Sequence, residues 1–176
     1  MKVLAIDTAT PYLVLGTLDA ERALWRGRRH AETLADDLTA FLPWAELERH
    51  DLQLVVVGEG PGSYTGLRVG LSLALGLARG LGLPVVGASS LAACAARVRG
   101  RVRPIWEARN RQLYAATYRV DPDGAVREVE PPAKHRRPPP GAACELWDAP
   151  PSGRALARLG LERWREGQAG VHPLYL

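Results

Sequence analysis

Gly58-Glu59-Gly60-Pro61-Gly62-Ser63-Tyr64-Thr65-Gly66-Leu67-Arg68-Val69-Gly70 follows the apolar run Leu52-Gln53-Leu54-Val55-Val56-Val57 and opens an apolar segment that continues to Leu81. The order is strand, glycine-rich turn, helix. Backbone amides in such a turn converge at a helix N-terminus, which suits either an anion or a close backbone approach. A nucleotide P-loop is excluded, because Lys and then Ser or Thr must follow its last glycine, whereas Gly66 is followed by Leu67-Arg68. The dinucleotide fingerprint fails too, since Gly58-Glu59-Gly60 runs into Pro61-Gly62-Ser63 with no glycine at position 63.

Outward from the turn, the pattern reads as alternating strands and helices. Toward the N-terminus, residues 2–6, Tyr12–Leu18 and Ala23–Arg28 read as strands, with a turn at Asp7–Pro11. Ala31–Leu42 carries Leu34, Leu38, Phe41 and Leu42 at helical spacing, and Pro43 is expected to end that helix. Toward the C-terminus, Leu52–Val57 is a strand, Thr65–Leu81 a helix, Pro84–Gly87 a strand, and Ser89–Val98 a helix capped by Ser89 or Ser90. The second half restarts with strands at Val102–Glu107, Leu113–Val120 and Ala125–Val129. A proline-rich, basic stretch over Glu130–Gly141 then reads as irregular, and a last helix over Arg154–Arg165 has Ser152 as its cap. Three strands joined by a polar loop and then a turn thus occur twice, with Asp7 and Glu107 in the same place in each copy.

Composition sets the bounds. The chain has 176 residues, 47 % hydrophobic and 24 % charged, enough for one good core or two small ones. A net charge of +4 does not by itself drive strong nucleic-acid binding. Cys94 and Cys144 flank no metal pattern and read as reduced thiols. His30, His50, His135 and His172 never pair at metal-ligand spacing. No run is long enough to span a bilayer and no signal segment opens the chain, so a cytoplasmic protein is expected.

The stretch Gly60–Gly70 closely resembles the hallmark of the TsaB (YeaZ) family. Leu4-Ala5-Ile6-Asp7-Thr8-Ala9-Thr10, Gly82–Leu91 and Glu107-Ala108-Arg109-Asn110-Arg111-Gln112-Leu113-Tyr114 resemble further motifs of that family. The match runs to about residue 120. The resemblance implies an α/β chain of the actin-like ATPase (ribonuclease H-like) type, built of two related lobes with a shortened second lobe. The expected division is 1–100 for the first lobe and 101–176 for the reduced second. It also implies a non-catalytic scaffold and activator subunit without a cofactor, acting in threonylcarbamoylation of adenosine 37 in tRNA. Such a subunit pairs with TsaD and TsaE and forms a homodimer when alone. It touches tRNA only indirectly or weakly and has no membrane association.

Two further readings of the residues stand beside this one. Asp7 and Glu107 are the carboxylates a small actin-like ATPase or phosphotransferase would use, though Glu107-Ala108-Arg109 puts bulk where phosphate would sit. Arg127, Lys134, Arg136 and Arg137 are the residues a tRNA-binding module would use. The helix over Thr65–Leu81 is apolar on nearly every face, which asks for cover on both sides. Its small residues Gly66, Gly70, Ser72, Ala74 and Gly76 are expected to let a partner helix come close. The expected partner interface is therefore Leu34, Leu38, Arg68, Leu71 and Leu75, and the signature loop Gly60, Pro61, Gly62, Ser63, Thr65 and Gly66 sets where the second helix starts.

Overall fold

The computed structural model describes residues 1–27, 29–141 and 143–176. The expected strand end at Arg28 falls outside the described residues. The chain forms β1 (Val3–Asp7), β2 (Tyr12–Gly16), β3 (Glu21–Trp25), α1 (His30–Trp44), β4 (Leu54–Gly58), α2 (Tyr64–Leu81), β5 (Val85–Ala88) and α3 (Ser90–Ala95). There follow β6 (Gly100–Glu107), β7 (Leu113–Val120), β8 (Val126–His135), β9 (Cys144–Trp147) and α4 (Gly153–Arg165).

The first sheet has strand order β3-β2-β1-β4-β5, with β2 antiparallel to its neighbours and β4 and β5 parallel to β1. The second sheet has order β8-β7-β6-β9, with the same directions and, among the described residues, no fifth strand. In each sheet the three leading strands form a meander and the fourth enters parallel beside the first. This is the actin-like, ribonuclease H-like arrangement, complete in the first lobe and reduced in the second. Asp7 ends β1 and Glu107 ends β6, so the two carboxylates sit at equivalent positions.

The continuous apolar runs of β1 and β4 follow from burial on both faces. On one face Leu4, Ile6, Leu13, Leu15, Val55 and Val57 pack under α1 and α2. On the other, Val3, Ala5, Leu54, Val56, Val86 and Ala88 pack under α4 through Leu156, Ala157 and Leu161. The chain therefore crosses back: α4, on the 101–176 side of the expected division, covers the first sheet. Its glycines permit this, since a Cβ on Gly160 would lie 2.4 Å from Val56 and one on Gly153 2.7 Å from the Leu15 carbonyl. Ser152 caps α4 by accepting from the Ala155 amide, while the Glu21 carboxylate accepts from Ser152 Oγ and from the Arg154 amide.

Three expectations are corrected. Pro43 does not end α1, which continues to Trp44; so close to the C-terminus it removes only one ladder bond. The helix expected over Ser89–Val98 is the single stretch Ser90–Ala95, capped by Ser89. The stretch expected to be irregular from Glu130 is strand as far as His135, and Pro131 and Pro132 are tolerated because β8 is an edge strand.

Arg103 explains what replaces helical cover on the outer face of the second sheet. Its side chain is fully buried. Its guanidinium donates to the carbonyls of Pro139, Pro140 and Gly141, to Thr117 Oγ1 and to the Glu130 carboxylate. The proline-rich segment is thus drawn over the sheet by one cation. Hydrogen bonds from Thr117 and Arg103 in turn hold the Glu130 carboxyl below its ordinary range.

Candidate functional site

Two places concentrate the sequence signals: the loop ends of the first sheet, and the outer surface of α1 and α2. At the loop ends, the glycines of the signature serve close packing inside the chain. A Cβ on Gly62 would lie 2.2 Å from the Ala9 carbonyl, one on Gly66 2.2 Å from the Thr8 carbonyl, and one on Gly70 2.3 Å from Thr8 Oγ1. Thr8 Oγ1 donates to the Gly66 carbonyl at 2.7 Å, and the Ser63 amide donates to the Ala9 carbonyl at 2.9 Å. The Asp7–Thr10 loop therefore fills the space against the α2 N-terminus. Ser63 caps α2 by accepting from the Gly66 amide, and Gly60 takes a φ of +88°, where a side chain would be strained. The expectation that Gly66 and Gly70 admit a partner helix is corrected: they admit the chain's own loop.

Asp7 has no accessible surface. Its Oδ1 accepts from the Ala9 amide at 2.8 Å, while among the described residues Oδ2 has no hydrogen-bond partner. Burial pushes its pKa up to about 6; the neighbouring Ser90 hydroxyl and the Ala9 amide moderate the rise. The Ser90 Oγ accepts from the Gly60 amide at 3.0 Å, locking the signature turn to α3. Glu107, at the equivalent position, is exposed, and its amide donates to Asp148. A phosphate reaches Asp7 only if the loop opens. His30, at the start of α1, donates from Nε2 to the Thr10 carbonyl at 2.9 Å, and among the described residues its buried Nδ1 has no partner. Burial pushes its pKa down, and the Thr10 carbonyl acts in the opposite sense. It anchors α1 to the loop. Among the described residues no group of three or more His, Cys, Asp or Glu is arranged to hold a metal ion.

On the outer surface, α1 and α2 lie side by side and leave a groove of about 580 Å³ lined by Ala31, Ala35, Tyr64, Arg68, Val69 and Ser72, among others. Of the expected pairing residues, Arg68 and Leu75 are exposed, Leu75 by 44 %, and Leu71 is half-buried. Leu38 is corrected: it is 7 % exposed, belongs to the core and does not line the groove. Leu34, 4 % exposed, also packs in the core, yet it lines the groove between the small residues Ala31 and Ala35. α2 turns Gly66, Gly70, Ala74 and Ala78 inward and leaves Leu75 and Leu81 outside.

Of the basic residues considered for tRNA, Arg127, Arg136, Arg137 and Lys134 are all exposed on or beyond β8. Arg127 forms an ion pair with Asp121, and Lys134 lies over the Tyr114 ring.

Sequence reasoning does not single out Glu59. Its side chain is 12 % exposed and pairs with Arg163 of α4 at 3.0 Å. Its Oε1 also accepts from the His172 amide, and its own carbonyl accepts from the Leu174 amide at 2.8 Å. Only its position, an acid between two signature glycines, marks it.

Comparison with known proteins agrees with this geometry. Residues 26–129 match a family model described as TsaD, tRNA N6-adenosine threonylcarbamoyltransferase. An uncharacterized protein of Mycobacterium tuberculosis is 37 % identical, covering 96 % of this chain and 82 % of its own length. The tRNA threonylcarbamoyladenosine biosynthesis protein TsaB of Bacillus subtilis is 34 % identical, over 74 % of this chain and 60 % of its own. The protein of the same name from Escherichia coli is 35 % identical, over 70 % of this chain and 58 % of its own. YeaZ from Pseudomonas aeruginosa shares the fold at a TM-score of 0.88 and 23 % identity, covering 99 % of both chains. Among the described residues no helix is long and apolar enough to cross a membrane.

Proposed function

The chain belongs to the TsaB (YeaZ) family, and from that premise we propose that it is a non-catalytic subunit of tRNA threonylcarbamoyladenosine biosynthesis, pairing through its α1–α2 groove. The partner is TsaD, with TsaE as a third component, and the same groove serves a homodimer when the chain is alone. The observation that carries this reading is the groove itself. It has apolar walls and exposed Leu75 one turn beyond Ser72, while the loops that would bind a phosphate are filled by Thr8 and Ala9. What points to an interface is the contiguity of apolar and small residues along the groove, since scattered exposed leucines are ordinary. Transfer chemistry then resides in the partner, and this chain contributes an arrangement that holds the partner's lobe competent.

Light scattering coupled to size-exclusion chromatography tests this, on the chain alone and mixed with its TsaD. Ser72→Arg and Leu75→Arg place a charge at the groove without touching the core. They should monomerise the chain and weaken the TsaD complex at least tenfold, with an unchanged far-ultraviolet circular dichroism spectrum and a melting temperature lowered only by the lost dimer linkage. A folded Ser72→Arg, Leu75→Arg double variant that still dimerises and still binds TsaD would remove the groove from the assignment. Micromolar binding of Mg-ATP to the isolated chain would return Asp7 and Glu107 to an enzymatic role.

A further inference from the structure

The C-terminal segment follows a path that none of the above requires. The Gly87 amide donates to the Gly170 carbonyl at 2.9 Å, so Gly170 extends the first sheet beside β5. The His172 and Leu174 amides then bond to Glu59, past the end of β4. Beyond them the Tyr175 ring lies 5.2 Å from the Tyr64 ring at the start of α2. Lys134, near the end of β8, finally donates from Nζ to the Leu176 carbonyl at 2.6 Å. Tyr114 pairs with Lys134 across β7 and β8, at the end of the second sheet that carries Glu107. The segment therefore passes from the loop end of the first sheet to the loop end of the second.

We propose that residues 168–176 are a strap that sets the arrangement of the two sheets, locked at its near end by Glu59 and releasable at its far end. The two ends differ in kind. At the near end Glu59 uses both carboxylate oxygens and its backbone carbonyl, and a Cβ on Gly87 would lie 1.9 Å from Glu59 Oε1. Only a glycine leaves room there for the buried carboxylate. At the far end the contacts are an exposed ring pair and one exposed ammonium, Tyr64 and Tyr175 being 56 % and 51 % exposed. Exposed contacts of this kind hold weakly and open readily. Tyr64 also lines the α1–α2 groove, and Arg68 lies 5.4 Å over its ring. A partner seated at the Tyr64 end of the groove touches the strap's far anchor. Docking and the placement of the second lobe are thereby coupled through Tyr64, Tyr175 and Lys134. The strap itself stands whether or not the groove takes a partner.

The test uses the isolated full chain. A spin label on exposed Cys144 of β9 and another on Thr39→Cys of α1 report the distance between lobes, and buried Cys94 stays unlabelled. Hydrogen exchange at the His172 and Leu174 amides reports the lock. Tyr175→Ser with Lys134→Ala should broaden the distance distribution while those two amides stay protected. Glu59→Ala, which removes the side-chain acceptor of the His172 amide, should also raise exchange at that amide roughly tenfold or more. Distances that stay narrow in the Tyr175→Ser, Lys134→Ala variant would make the segment passive, as would fast exchange at both amides in the unaltered chain. If Glu59→Ala does not fold, the far-end double variant decides alone.

Discussion

The two sheets share strand order and direction for four strands, yet one is sandwiched between helices and the other is not. The first has α1 and α2 on one face and α4 on the other, and its central strands are apolar throughout. The second has α3 against one face, where Leu91, Val102, Trp106 and Tyr118 meet. Its other face is closed by a proline-rich segment that is pinned through Arg103. A sheet that loses its helices must still satisfy or shield that face, and here one buried guanidinium does it with carbonyls. The first sheet is held by apolar area on both faces, the second by apolar area on one face and a few directed polar bonds on the other.

The largest expected effect breaks that polar closure. Arg103→Met removes the charge that donates to the Pro139, Pro140 and Gly141 carbonyls and leaves Glu130 without its buried partner. Glu130 is 43 % exposed and keeps Arg101 and Thr117, so the cost is that of losing several hydrogen bonds from a charged donor, on the order of 2–3 kcal/mol. Urea unfolding should show that loss, with exchange rising first in the 136–141 segment. A loss below about 1 kcal/mol would mean that the segment is held by its prolines instead.

Next in size is the packing of the signature loop. Gly66→Ala pushes a methyl against the Thr8 carbonyl, which has a strand and a bonded loop behind it and little room to move. Overpacking of this sort costs roughly 1–3 kcal/mol, outweighing the gain from alanine in a helix. Thermal unfolding of the variant should therefore show a lower midpoint.

Asp7 and Glu107 compare the lobes at a single position. The folded pKa of Asp7 is raised from 3.8 to about 6. The folded state therefore binds the proton more tightly than the unfolded state. This contribution is fully present below about pH 3.8 and is lost as pH rises through about 6. Asp7→Asn keeps an acceptor for the Ala9 amide without the buried charge, so at pH 7 it should stabilise the fold by on the order of 1–3 kcal/mol. The advantage should shrink as pH falls from about 6 toward about 4 in denaturant titrations at several pH values. Glu107→Gln, at an exposed site, should leave stability unchanged. If Asp7→Asn weakens the fold at neutral pH, the unpaired oxygen has a partner that this arrangement does not contain.

Much of this was legible in the sequence. The continuous apolar runs Val3–Ile6 and Leu54–Val57 announce strands buried on both faces, and the glycine signature announces a strand-to-helix turn. The equivalence of Asp7 and Glu107 could be read from pattern alone. What could not be read was destination. Leu34 and Leu38 are read from sequence as interface residues, because periodicity marks an apolar face without saying what covers it. The return of α4 to the first sheet rests on Gly153 and Gly160 meeting Leu15 and Val56, residues far apart in the chain. Nothing in the sequence singles out Arg103 or Glu59, and only tertiary contacts make each the centre of a network.

The smallest effect separates the two kinds of glycine on α2. Gly76 is exposed, and a Cβ there would meet nothing within 4 Å. Inside the isolated chain it has no packing reason to be glycine, and Gly76→Ala should stabilise the helix by about 0.5–1 kcal/mol. Gly66→Ala on the same helix should do the opposite, so the pair measures which glycines serve the chain's own loop. Gly76 directly follows Leu75 on the exposed side of α2. If Gly76→Ala stabilises the monomer yet weakens self-association in sedimentation equilibrium, the missing methyl is space kept for a second chain. If association is unchanged, the contact lies nearer the Tyr64 end of the groove, and Ser72→Arg becomes the sharper probe.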